Sequence, residues 1–237
     1  MEENGTWLHW VYTLKIMPKW MPEMVAVTYF VVLVLSIIAI IASRKLRTRN
    51  PSRFQAFIEY VVSALNGFVK NVVGEELAKS LTPIIGTIFI FILSLNLVGL
   101  IPGFISPTAN INTTVSLALF AFLLVQYYGF RKSGFGYLKH FWGEPWYMGF
   151  LMFPIHVIGE LARPLSLSIR LFGNIFGEDM VIAILILIVI RVMGYFLIPA
   201  QFPMVLFAIF TSFVQALVFS MLVSIYIVVA VGSHEEH

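Results

Sequence analysis

Long apolar runs separated by short polar breaks dominate this chain. The first run, residues 24–43, is apolar on every face and is followed by Arg44, Lys45, Arg47 and Arg49. At a rise of about 1.5 Å per residue, about 20 such residues cross about 30 Å of hydrocarbon. A second run covers 83–101, and a third covers 113–130 and is closed by Arg131, Lys132, Lys139 and His140. Residues 52–73 differ: Phe54, Phe57, Ile58, Val61, Val62 and Leu65 recur at helical spacing among Arg53, Gln55, Glu59, Asn66 and Lys70. That pattern predicts an amphipathic helix lying on the membrane surface, with a poor span as the other reading.

The stretch 147–193 is too long for one upright span and contains Pro154 and Pro164. A break or a strongly tilted course is expected there. A turn through Gly194, Pro199 and Pro203 separates it from the last run, 204–231. The expected fold is therefore all-α and polytopic. It has five membrane-crossing helices plus one surface helix, in one integral membrane domain spanning 1–237. Basic residues stay on the cytoplasmic side of short loops. The clusters after the first and third spans therefore set residues 1–23 outside, the surface helix inside and the C-terminal tail in the cytoplasm.

Composition agrees with this picture. Of 237 residues, 59% are hydrophobic and 11% charged, against about a quarter charged in soluble domains. There are no cysteines, which excludes disulfides, thiol catalysis and Cys-ligated zinc. The net charge of +3 is small and its cations flank apolar runs, so no nucleic-acid partner is expected. The first 20 residues lack the order of basic, apolar and small residues that marks a cleaved signal, and they are not an Arg-rich transit peptide. A bacterial plasma membrane is the expected location. No phosphate loop, HExxH, GxSxG or Cys/His site is present, so no catalytic motif, metal or cofactor is expected.

The candidate chemistry lies in the long charged stretch. Advancing about 100° per residue puts His156, Glu160, Arg163, Arg170, Asn174 and Glu178 on one stripe about 80° wide and about 33 Å long. Leu161, Leu165, Ile169, Phe172 and Phe176 take the other faces. A charge at the bilayer centre costs from about 3 to above 10 kcal/mol. Arginine cannot escape by losing its proton, so Arg170 must face water, a carboxylate or another protein. Carboxyls such as Glu160 and Glu178 can exchange protons and so can relay them. A fixed cation between two proton-accessible zones would stop direct passage.

Blander readings apply to single members. His156 also fits helix packing, Arg163 fits snorkelling towards headgroups, and Arg191 fits an interfacial anchor. Asp179 points about 100° off the stripe. On the last run Thr211 and Gln215 share a face. An antiparallel pairing would set Gln215 against the Arg170 region, with plain interhelical hydrogen bonding as the other reading. Asn96 is a further polar residue near the end of the second span. A free-standing cation channel, a proton-coupled transporter and an assembly scaffold are the competing functional classes. No internal repeat of the transporter kind is visible.

The run Pro164-Leu-Ser-Leu-Ser-Ile-Arg170-Leu-Phe-Gly-Asn174 resembles the signature of subunit a of F-type ATP synthases. So do Leu95-Asn96-Leu97-Val98-Gly99-Leu100-Ile101-Pro102, Pro107-Thr108-Ala109-Asn110-Ile111-Asn112-Thr113-Thr114 and the helix of Gln215, in the same order. That resemblance implies a stationary, non-catalytic subunit whose two long tilted C-terminal helices face a rotating ring of c-subunits, beside peripheral-stalk b subunits and the other ATP synthase subunits. Two aqueous half-channels would deliver protons to and from ring carboxyls. Arg170 would engage the deprotonated ring carboxylate and block a short circuit, with Asn174 and Gln215 close by. An acidic family position falls on Glu178 in one register and on Asp179 in the next.

Overall fold

The computed structural model describes residues 23–44, 52–101, 103–134, 149–193 and 202–232. The external N-terminus expected over 1–23 falls almost wholly outside these residues, as do the 194–201 turn and the C-terminal tail. The described residues form six α-helices, α1 (Glu23–Arg44), α2 (Arg53–Val73), α3 (Glu75–Val98), α4 (Ile111–Ser133), α5 (Gly149–Met193) and α6 (Phe202–Gly232). A short 3-10 turn, Pro107–Ala109, precedes α4, and no strand occurs among the described residues. The all-α, polytopic expectation is thus met. All six helices are long and apolar enough to cross a membrane. α2 qualifies with the lowest mean hydropathy, 1.2 against 1.5 to 2.9 for the others. Length and composition therefore admit a sixth crossing where the sequence pattern suggested a surface helix.

Local chemistry sets the helix ends. The Ser52 hydroxyl caps α2 by accepting from the Gln55 amide at 3.2 Å. The Asn110 side chain caps α4 by accepting from the Asn112 amide at 2.8 Å, and so satisfies a donor the helix itself cannot. Gly74 is the only residue between α2 and α3, and its φ of +81° lies where a side chain would be strained. The tight turn folds α2 back along the first turns of α3. Lys70 pairs with Glu75, and the Thr82 hydroxyl donates to the Asn66 carbonyl at 3.0 Å. Pro83 lies inside α3, which begins at Glu75 rather than at the proline.

The two ends of the bundle differ. Phe30 of α1 stacks on Phe104, and the Asn110 amide reaches Met24, so the start of α1 sits beside the α3–α4 connection. This loop end also holds the 3-10 turn, which touches α5. At the opposite, basic end α1 and α4 finish in Arg44, Arg131 and Lys132. There Val69 and Val73 of α2 join Leu81 of α3 and Ile227 of α6 in the apolar core.

The connection at the loop end is packed to contact. A Cβ on Gly99 would lie 2.4 Å from the Ser106 Cβ and 2.9 Å from its Cα, so only glycine lets this backbone pass. Gly99→Ala is expected to destabilise the fold by about 1–3 kcal/mol through overpacking. A lowered thermal midpoint of the detergent-solubilised chain checks this; an unchanged midpoint refutes it.

α5 is the anomaly of the packing. It runs unbroken through Pro154 and Pro164, so the break allowed by its length does not occur. Its 45 residues extend about 67 Å, more than twice the hydrocarbon thickness. Yet only Leu167, Ser168, Leu171 and Ile175 are buried among its described side chains. α6, by contrast, touches α2, α3, α4 and α5 and is the most buried span.

Candidate functional site

α5 and α6 run antiparallel with one register. The Arg163 guanidinium lies 5.1 Å from the Tyr226 ring centroid. Eleven residues further along α5 and eleven back along α6, the Asn174 amide donates to the Gln215 carbonyl at 2.6 Å. Four more steps along each helix come to Glu178 and Thr211, and the Thr211 hydroxyl donates back to the Phe207 and Ala208 carbonyls at 3.1 Å. Residues at these spacings lie on one side of each helix, so two polar contacts and the Glu178–Thr211 level share one seam.

The buried face of α5 is centred on Leu167, Leu171 and Ile175, and the polar stripe follows one border of it. Glu160, Glu178, Asp179 and His156 are half-buried, whereas Arg170 and Asn174 are exposed on this chain's surface. Arg170 stands within a turn of the midpoint of α5. Among the described residues it has no hydrogen-bond or ion-pair partner. An arginine cannot shed its charge, so an exposed guanidinium halfway along a membrane helix, unpaired among the described residues, requires water or a carboxylate beside it.

The stripe is therefore divided rather than uniform. Towards the basic end, Glu160 Oε1 pairs with Arg163 at 2.5 Å, and the Gln126 amide of α4 donates to Glu160 Oε2 at 3.3 Å. Both carboxylate oxygens are thus engaged within the chain, and Arg163 is partnered by Glu160 and Tyr226 as well as partly exposed. A small cleft lined by Glu160, Arg163, Pro164, Val125, Val223 and Tyr226 opens here. Beyond Arg170, towards the loop end, Asn174, Gln215, Glu178, Asp179 and Thr211 follow in succession. Gln215 meets Asn174, one turn past Arg170, rather than the guanidinium itself.

Gln215 is only 3% exposed, and its amide nitrogen has no partner. An unmatched buried donor is costly unless water reaches it. Asn96, at the end of α3, is 2% exposed and accepts from the Thr108 hydroxyl at 2.9 Å, while Thr108 in turn meets Ser106 at 2.9 Å. Its own amide nitrogen is likewise unmatched, as is the Ser212 hydroxyl. No group of three or more metal-ligating side chains occurs among the described residues.

Gln126 and Tyr226 were not singled out in the sequence. Gln126 carried a usable signal, since a lone amide inside an apolar span marks a polar partner on a neighbouring helix. Tyr226 carried none, because an aromatic residue near the end of a membrane helix is ordinary.

The family described as ATP synthase A chain matches residues 24–228. ATP synthase subunit a of Trichlorobacter lovleyi is 45% identical over 212 residues, covering 90% of this chain and 87% of the relative. The subunit a of Geobacter sulfurreducens is 42% identical over 214 residues, covering 90% and 88%. That of Gloeobacter violaceus is 42% identical over 219 residues, covering 89% and 84%.

Proposed function

The chain belongs to the ATP synthase A chain family, the non-catalytic, proton-translocating subunit of the ATP synthase membrane sector, and from this premise we propose that translocation is organised around Arg170. The observation that carries the proposal is the exposed guanidinium at the middle of α5, unpaired among the described residues. It acts as the fixed positive barrier between two wet vestibules. The vestibule towards the loop end holds Glu178, Asp179, Asn174, Gln215, Thr211 and Asn96. The one towards the basic end holds Glu160, His156 and Arg163. A proton entering one zone is repelled by Arg170 and leaves only on a mobile carboxyl carried past it by a neighbouring rotor.

The rotor is a ring of c-subunits packed on the open face of α5. Its approach is supported by Ser166, Gly173 and Gly177 around Arg170, where a Cβ added to either glycine meets nothing within 4 Å. Small residues let another helix come close enough for a guanidinium to meet a carboxylate. The peripheral-stalk b subunits and the other ATP synthase subunits complete the assembly. The basic end faces the cytoplasm of a bacterial plasma membrane, α2 lies along that surface, and the N-terminus is outside. The driving force is about 2.3 kcal/mol per proton per 100 mV, so several protons must pass for each ATP made by the catalytic head.

Cysteine cross-linking tests the docking face, and the chain has no native cysteine to confuse it. Ser166→Cys and Gly173→Cys are expected to form disulfides with cysteines placed beside the ring carboxyl in the whole complex. Leu123→Cys on the exposed side of α4 is not. Absence of both α5 cross-links, or an equal yield from position 123, rejects this face.

A further inference from the structure

One feature of the bundle lies away from the proton path. An apolar groove of about 400 Å³ opens sideways between α1, α3 and α4, lined by Leu35, Ser36, Thr87, Phe91, Leu117 and Ala121. α1 touches the bundle through Ala26, Val27 and Val31 near its start, and beyond Val31 none of its described side chains is buried. The helix thus leaves the bundle as it runs towards the basic end, and the groove lies beneath it.

We propose that this groove holds an acyl chain of an anionic phospholipid whose headgroup sits at the basic end. Its lining gives the chemistry of the tail. The only two hydroxyls are spent within their own helices: Ser36 donates to the Val32 carbonyl and Thr87 to the Pro83 carbonyl, each at 2.7 Å. No polar group is left to recognise a polar ligand, so hydrocarbon is the matching occupant. A three-turn helix about 10 Å across needs on the order of 1,000 Å³, well beyond this space.

Charge gives the chemistry of the head. All three walls reach an exposed cation in the same direction. Arg44 lies eight residues beyond Ser36, Lys79 eight residues before Thr87, and Arg131 ten residues beyond Ala121. These separations are about 12, 12 and 15 Å along the helices. One leaflet of hydrocarbon is about 15 Å thick, so a phosphate held at the cations leaves its tail at groove depth. Basic sites between helices on this side of a membrane favour anionic headgroups.

The test uses the whole purified complex in phosphatidylcholine nanodiscs. Tracer phosphatidylglycerol or phosphatidylcholine carries a diazirine midway along one acyl chain, and cross-linked peptides are mapped by mass spectrometry. The phosphatidylglycerol probe is expected to label the groove segments of α1, α3 and α4 at least about fivefold more than the phosphatidylcholine probe, the selectivity that a single surface cation supplies. The combined variant Arg44→Gln, Lys79→Gln and Arg131→Gln should bring the two probes level. Leu35→Trp should suppress groove labelling by both while leaving labelling of exposed Phe207 on α6 unchanged. Should that variant fail to accumulate, Ser36→Leu makes the same test. Equal labelling of the native protein by both probes overturns the proposal, because it means bulk lipid without headgroup selection. Groove labelling that persists in the filled variant also overturns it, as does replacement of lipid adducts by cross-links to another subunit's helix.

Discussion

Arg170→Ala should abolish ATP-driven proton pumping in inverted vesicles while the complex still assembles. The expected loss is at least about 100-fold, equivalent to about 2.7 kcal/mol of lost coupling. The reason is chemical. Arg170 makes no hydrogen bond or ion pair within the described residues, so its removal breaks none there and leaves no described group orphaned. Its loss removes the one permanent charge midway along α5 and with it, in the proposed mechanism, both the partner for a passing carboxylate and the barrier between the vestibules. Passive proton flux should rise or hold while coupled transport disappears. Arg170→Lys should keep part of the activity, because an ammonium carries the charge but lacks the planar fork and can lose its proton when desolvated. The measurement is acridine-dye quenching driven by ATP, beside a check that all subunits co-purify. Coupled pumping that survives the alanine variant would return this chain to a scaffolding role.

Glu178→Gln should slow ATP-driven proton transfer by about tenfold or more, equivalent to about 1.4 kcal/mol on the barrier. Asp179→Asn should slow it less. Both carboxyls are half-buried and adjacent on α5, and the difference between them is direction. Glu178 continues the seam from Asn174 and Gln215, one turn further along at the level of Thr211 on α6. Asp179 projects about 100° away, off that line. A glutamine keeps the size and the polarity facing Thr211 but cannot pick up and release a proton at physiological pH. Equal effects, or a larger effect at Asp179, would move the relay to the other side of α5 and shift the vestibule with it.

The division of the polar stripe bears on how the two halves work. Glu160 is held by Arg163 and Gln126, so under the proposed mechanism it must loosen these own-chain contacts to relay a proton. Glu178 has no ion-pair partner among the described residues. One helix thus carries a clamped carboxyl on one side of Arg170 and a freer one on the other. That asymmetry has a structural origin, since α4 brings Gln126 against the first half of α5, whereas the 3-10 turn meets α5 at the loop end.

Much of this was legible in the residue order. An apolar run of about 20 residues has one low-energy solution in a bilayer, because a helix satisfies every backbone donor and acceptor within itself. The spans near α1, α3, α4 and α6 could therefore be located without knowing any neighbour. Helical periodicity likewise set Arg170, Asn174 and Glu178 on one stripe, and the run Pro164 to Asn174 was sufficient to recognise the family. These are local properties, decided within a few turns of one helix.

Other features depended on which helix lies beside which, and sequence periodicity carries no such information. It could not show that Glu160 meets Gln126, that Gln215 meets Asn174 rather than Arg170, or that Arg163 stacks on Tyr226. Nor could it choose between a broken and a continuous α5, because tolerance of Pro154 and Pro164 depends on what surrounds the helix. The sequence by itself determined that an undischargeable cation would sit within a membrane helix. Only the tertiary structure decided that this cation is left without a partner among the described residues, because packing α5 through Leu167, Leu171 and Ile175 turns Arg170 outward.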